Sequence, residues 1–252
     1  MSDNDTILLH AAGSLRAALS EIGTAFATAR GVRVIGHYGP SGTLKDAIIN
    51  GAATDIFASA NMAHPQALAE QGLSGPVELF ARNSLCALVR PSLSLDTATL
   101  LDVLLDPAVR VATSTPRADP SGDYAFASFE QAEAIRPGAG TTLAGKALQL
   151  TGAPASAAAP TGRNVYGWHL AEGRADVFIT YRTNAVAAAR ENPGQQIVPL
   201  PKELTIEADY GLTVMNGAPR ATSEFALFIL SIEGQTILTT HGFSAPGYAK
   251  EK

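Results

Sequence analysis

A single cysteine, Cys86, in 252 residues excludes an intramolecular disulfide and any metal site built on paired thiolates. It lies in the apolar run Leu85-Cys86-Ala87-Leu88-Val89 and reads as a small buried residue. Charge is scarce as well, since Asp, Glu, Lys and Arg make up 16% of the chain against roughly 25% in an ordinary soluble domain. The net charge of -5 leaves no positive excess to hold nucleic acid or an anionic membrane, although one anion can still be held by a local site. No apolar run approaches the ~20 residues of a transmembrane helix. Met1-Ser2-Asp3-Asn4-Asp5 has neither the basic start nor the apolar core of an export signal. Two readings stay open there, a cytosolic protein or a chain that begins after a removed signal. Gly13-Ser14 and Gly122 lie outside any Gly-x-Ser-x-Gly elbow, and His10, His37 and His64 are too scattered to suggest a metal site.

What the chain has is apolar residues, 46% of the total, arranged so that short strands alternate with helices. Residues 6–12 read as a strand, after which Leu15, Leu19, Ile22 and Phe26 recur at helical spacing. Further strands are expected at 32–35, 55–59, 85–89, 109–112, 177–180 and 212–215. Helices are expected from Ser41, at 64–71, 99–105 and 123–134, from Asn164, and at 225–230 and 235–240. Residues 153–160 are low in complexity and read as a surface loop. The alternation implies an α/β fold with largely parallel sheets.

The chemistry is concentrated where strands hand over to helices. Small hydrogen-bonding residues stand there in Ala11-Ala12-Gly13-Ser14, Gly39-Pro40-Ser41-Gly42-Thr43, Asp119-Pro120-Ser121-Gly122 and Gly162-Arg163-Asn164-Val165. A helix N-terminus offers unpaired N–H groups and a partial positive charge, so several aimed at one point bind an anion without charged side chains. Ordinary helix capping explains each serine equally well. The two roles are compatible, and the pattern alone supports an α/β protein with a candidate anion site.

Ala11-Ala12-Gly13-Ser14-Leu15 resembles the first strand–helix turn of bacterial molybdate-binding proteins, and Gly39-Pro40-Ser41-Gly42-Thr43-Leu44 resembles their second serine loop. Asp55-Ile56-Phe57-Ala58-Ser59-Ala60, Asn83-Ser84-Leu85, Asp119-Pro120-Ser121-Gly122-Asp123-Tyr124, Asn164-Val165, Ile179-Thr180-Tyr181 and Glu233-Gly234-Gln235 continue the likeness in the family's order. The resemblance implies a two-lobed periplasmic-binding-protein fold of type II, each lobe a mixed sheet flanked by helices, with a ligand cleft between lobes. Residues 1–82 with 208–252 are expected to form one lobe and 83–207 the other. The ligand implied is molybdate or tungstate, held by the hydroxyls of Ser14 and Ser41, the backbone at Ser121 and Val165, and the hydroxyl of Tyr181. No cofactor and no side chain coordinating a metal directly are expected. The implied partner is the membrane permease of an ABC transporter, and the implied state is a periplasmic monomer.

Two positions depart from the family pattern. Ser121 stands where many members have alanine, and Arg182-Thr183-Asn184 follows the tyrosine where many have Ser or Asp. Arg182 reads either as a charge near the site or as a solvated residue. The competing readings are another anion (sulfate, phosphate or an iron-related ligand, Tyr124 and Tyr181 being the tyrosines for iron), a serine hydrolase, and the sensing domain of a regulator. No DNA-binding segment precedes the first strand, which favours transport over regulation.

Overall fold

The helical spacing seen in sequence becomes a buried stripe. Leu15 in a short 3-10 turn, and Leu19, Ile22 and Phe26 in the helix that follows, are all buried. The computed structural model describes residues 6–246, so residues 1–5, on which the export reading rests, lie outside it. The chain runs β1 (Thr6–Ala12), α1 (Arg16–Arg30), β2 (Arg33–Gly39), α2 (Ser41–Ile49), β3 (Ile56–Ser59), α3 (Ala63–Glu70) and the long β4 (Ser74–Val89). It continues through α4 (Leu100–Leu105), β5 (Val111–Ser114), α5 (Pro120–Ile135), α6 (Ala139–Lys146), β6 (Leu148–Thr151), α7 (Val165–Ala171) and β7 (Val177–Tyr181). Then follow α8 (Arg182–Glu191), β8 (Gln196–Pro199), β9 (Glu207–Met215), α9 (Arg220–Leu230) and α10 (Ile232–Thr240).

The chain divides into two compact units, parting after Asn83 within β4 and after Glu207 at the start of β9. Asn83, placed from sequence in the second lobe, falls in the first unit, where its buried amide reaches the hydroxyl of Tyr210.

In the first unit β1 is central and runs parallel to both β2 and β3. β9 pairs antiparallel with β3 and lies beside the first half of β4, so the sheet is mixed rather than largely parallel. Asp55 stitches its centre together. Its carboxylate accepts from Leu8 N–H at 2.7 Å, its N–H donates to Leu8 C=O, and its own C=O accepts from Met215 N–H.

In the second unit β5 runs parallel to β6 and β7, while the end of β4 pairs antiparallel with β7 and β8. The core of one face gathers Cys86, Leu88, Ala112, Leu170, Phe178, Ala185 and Ala188. Cys86 is fully buried there, and burial pushes its thiol up to about 12, so it stays protonated and inert. Residues 153–160 form no helix or strand, as read from sequence.

Gly122 marks a close approach of backbone to backbone in this unit. A Cβ there would stand 2.5 Å from the Ser114 C=O, so the start of α5 meets the end of β5 without room for a side chain. Gly122→Ala is expected to cost about 1–3 kcal/mol by forcing that backbone apart. Urea denaturation measures it, and an unchanged midpoint would show that the loop yields freely.

Candidate functional site

In the first unit the register brings the two candidate serines to one end of the sheet. Ala12 and Gly39 are partners across β1 and β2, and Ser14 and Ser41 each follow their partner by two residues. Both therefore stand beyond the carboxyl ends of neighbouring parallel strands, the end where open α/β sheets take ligands. Ser41 is the first residue of α2 and is 9% exposed. Its Oγ accepts a hydrogen bond from Ala60 N–H at 3.1 Å, just past the end of β3. Pro40 at the N-cap has no side chain able to cap the helix, so the N–H groups of the first turn face outward without an intrahelical acceptor. His64 flanks this turn, its Nε2 lying 3.6 Å from where a Gly42 Cβ would be. Burial, then Lys45, lowers the His64 pKa against the opposing pull of Asp46.

Ser14 lies exposed in the turn after β1. Its Oγ is 3.0 Å from the hydroxyl of Tyr210, and that hydroxyl accepts from the amide nitrogen of Asn83 at 3.4 Å. Asn83 stands in the Asn83-Ser84-Leu85 motif with no role legible there, and Tyr210 carries no signal in sequence, because a tyrosine inside a strand reads as core. The Ala60 N–H was invisible for a plainer reason, since backbone groups carry no residue signature.

In the second unit Ser121 and Val165 come after the parallel strands β5 and β6, and Tyr181 is the last residue of β7, which is parallel to β5. Here the local protein has already engaged part of what the resemblance assigns to a ligand. Asp119 is the N-cap of α5, and its carboxylate accepts from Ser121 N–H at 2.9 Å. The Ser121 side chain is fully buried, with its Oγ 3.4 Å from Thr180 Oγ1. Asn164 caps α7 by accepting from Tyr166 and Gly167 N–H at 3.1 Å each. Val165, one residue earlier, has an N–H without an intrahelical acceptor. Tyr181 ends β7 and is 8% exposed, its ring centroid 5.9 Å from that of Tyr124. Arg182 opens α8 exposed to solvent.

Behind these residues Ser114, Thr151 and Thr180 form a buried hydroxyl cluster around Tyr166, with Ser114 Oγ 2.9 Å from Thr151 Oγ1. Burial, helped by the Asp119 carboxylate, pushes the Tyr166 phenol up to about 12, although its hydrogen bonds to Ser114, Thr180 and Thr151 pull the other way.

No group of three or more His, Cys, Asp or Glu able to hold a metal ion occurs among the described residues. Two histidines that look scattered in sequence do meet, since His10 and His37 are partners across β1 and β2 with ring centroids 5.0 Å apart. Thr54 Oγ1 lies 2.9 Å from His10 Nδ1, which completes a local structural contact.

Comparison with known proteins narrows the class. The model of the bacterial extracellular solute-binding protein family matches residues 7–244. An uncharacterized protein of Pasteurella multocida (strain Pm70) is 35% identical over 203 residues, covering 80% of this chain and 84% of its own. The substrate-binding domain named for a molybdenum ABC transporter of Clostridium difficile superposes with a TM-score of 0.77 at 21% identity, covering 95% of this chain and 98% of its own. The periplasmic molybdate-binding protein of Azotobacter vinelandii gives 0.69 at 19%, covering 95% and 99%. The sulfate-binding protein of Mycobacterium tuberculosis gives 0.67 at 20%, covering 96% and 87%. At such identities the structural likeness shows the fold alone, a mixed α/β sheet flanked by helices.

The raised Tyr166 pKa fixes a pH dependence. The folded chain holds this proton more tightly than an unfolded one, whose phenol titrates near 10, so stability is full below pH ~10 and falls as pH rises toward 12. Urea midpoints across that window are expected to fall in the wild type and to fall less in Tyr166→Phe. Parallel curves would place the phenol in an ordinary environment.

Proposed function

The chain belongs to the bacterial extracellular solute-binding proteins, and from that premise we propose that it captures a tetrahedral oxyanion, molybdate or tungstate, for an ABC-type membrane permease. The family is one of binding proteins rather than enzymes, which disfavours the serine hydrolase. The observation that carries the reading is the state of Ser41. Its oxygen accepts from Ala60, and its proton therefore remains for a ligand, beside uncapped N–H groups of α2. Neutral donors suit a dianion, since a hydrogen bond to a charged group contributes ~1.5–3 kcal/mol and several together offset its desolvation. Ser14 supplies a second hydroxyl in the first unit. The second unit supplies Tyr181 and the N–H of Val165, with Ser121 contributing once its N–H is released from Asp119.

Selection among dianions follows from spacing. Molybdate and tungstate have longer bonds than sulfate, so donors set for the larger anion leave some bonds unmade around the smaller one. Delivery to a permease implies a periplasmic, monomeric protein. No helix among the described residues is long and apolar enough to cross a membrane.

Asp119 favours one second reading. A carboxylate at the start of α5 repels a bare dianion but accepts from an oxyanion that still carries a proton, such as hydrogen phosphate.

Two substitutions test these readings by calorimetric titration. Ser41→Ala is expected to weaken molybdate binding about ten- to a hundredfold, with the melting temperature of the ligand-free protein little changed. Unchanged affinity with a lowered melting temperature makes Ser41 a structural residue only. Asp119→Asn keeps a good N-cap while removing the charge, and is expected to tighten molybdate binding several-fold. Loss of phosphate binding in the same variant, with molybdate never bound, establishes the second reading instead.

A further inference from the structure

Ser14 is the weaker-held of the two first-unit serines, because an exposed hydroxyl rotates freely unless something fixes its proton. We propose that Tyr210 is a positioning residue for the oxyanion: it donates its proton to Ser14 Oγ, so that the Ser14 proton points outward to the ligand. The inference rests on the oxyanion site proposed above and adds a residue that touches no ligand.

One end of the line has a fixed direction. The amide nitrogen of Asn83 can only donate, and it lies 3.4 Å from the Tyr210 oxygen, which accepts there. The Tyr210 oxygen lies in turn 3.0 Å from Ser14 Oγ. Of the two hydroxyls the phenol is the more acidic and so the better donor. A proton passed along this line satisfies one acceptor site of Ser14 and leaves its own proton for an outside acceptor. Ala60 N–H does the same for Ser41. By different means, then, each serine has one acceptor site filled from within the protein and its proton left for a ligand, the arrangement that suits a fully deprotonated oxyanion.

The phenol is held for this task. Tyr210 is fully buried in β9, and its ring meets Phe80 at 6.5 Å and Phe243 at 5.3 Å, both edge to face. Phe80 lies in β4, and Phe243 follows α10, where Ser244 and Arg82 exchange backbone hydrogen bonds at 2.9 Å. Three separate segments thus fix the ring, and its hydroxyl emerges at the turn that carries Ser14.

A double-mutant cycle and a neutron structure test the proposal together. Tyr210→Phe is expected to weaken molybdate binding about tenfold in the wild-type background and less than twofold in Ser14→Ala, because both act through one hydroxyl. Equal losses in the two backgrounds would overturn the proposal, since a merely structural tyrosine acts alike in both. Neutron diffraction from the ligand-free, deuterium-exchanged wild type is expected to show the Tyr210 deuteron directed at Ser14 Oγ. A Ser14 deuteron directed at Tyr210 would overturn the proposal without any ligand. A wild type that takes up no oxyanion counts against the proposed function, and the neutron map still decides the direction of the relay.

Discussion

The hydrogen bond from Ala60 N–H to Ser41 Oγ sets the character of the first unit's site. A hydroxyl has one proton to give, and once its oxygen has accepted from the backbone, the proton must find an acceptor elsewhere. That bond exists because β3 ends beside the start of α2, and β3 is fixed there by Asp55 binding both β1 and β9. The site's polarity is thus a consequence of sheet register. Moving β3 by one residue would turn Ala60 away and free Ser41 to accept from a ligand as readily as donate to it.

The two units differ in how far their donors are committed. In the first, the α2 terminus is left uncapped by a proline that has nothing to cap with. In the second, Asp119 and Asn164 cap their helices with their own side chains, which stabilises each helix by about 1 kcal/mol and occupies N–H groups that a ligand would otherwise use. A carboxylate as cap has a further effect, because it places a negative charge where an anion would gain from the helix dipole. The second unit therefore commits these N–H groups to local stability, and Ser121 is fully buried.

Much of the architecture was legible in sequence, because apolar periodicity reports burial directly. The helix of Leu19, Ile22 and Phe26 lies where its pattern puts it, and the strands expected at 55–59 and 177–180 are Ile56–Ser59 and Val177–Tyr181. Elements with weak patterns were missed. The first part of β4 carries Pro76, Glu78 and Arg82 on a partly exposed face, and α8 begins at Arg182, directly after β7 with no turn signal between them. α6, β6 and β8 are short and lie at the margins of their unit. Site residues carried by helix starts were legible through Ser, Gly and Asn. Partners such as Ala60 and Tyr210 were not, since they act through a backbone group and through a distance of 196 residues in sequence. The export reading rests on residues 1–5, outside the described residues.

The central claim is that the protein takes a tetrahedral dianion and prefers the larger ones. Native mass spectrometry of the ligand-free protein, titrated in parallel with molybdate, tungstate, sulfate and phosphate at equal concentrations, tests it most directly. One anion per chain is expected, with molybdate and tungstate saturating at concentrations where sulfate and phosphate leave the protein mostly unbound. Equal uptake of all four, or uptake of none, would contradict it.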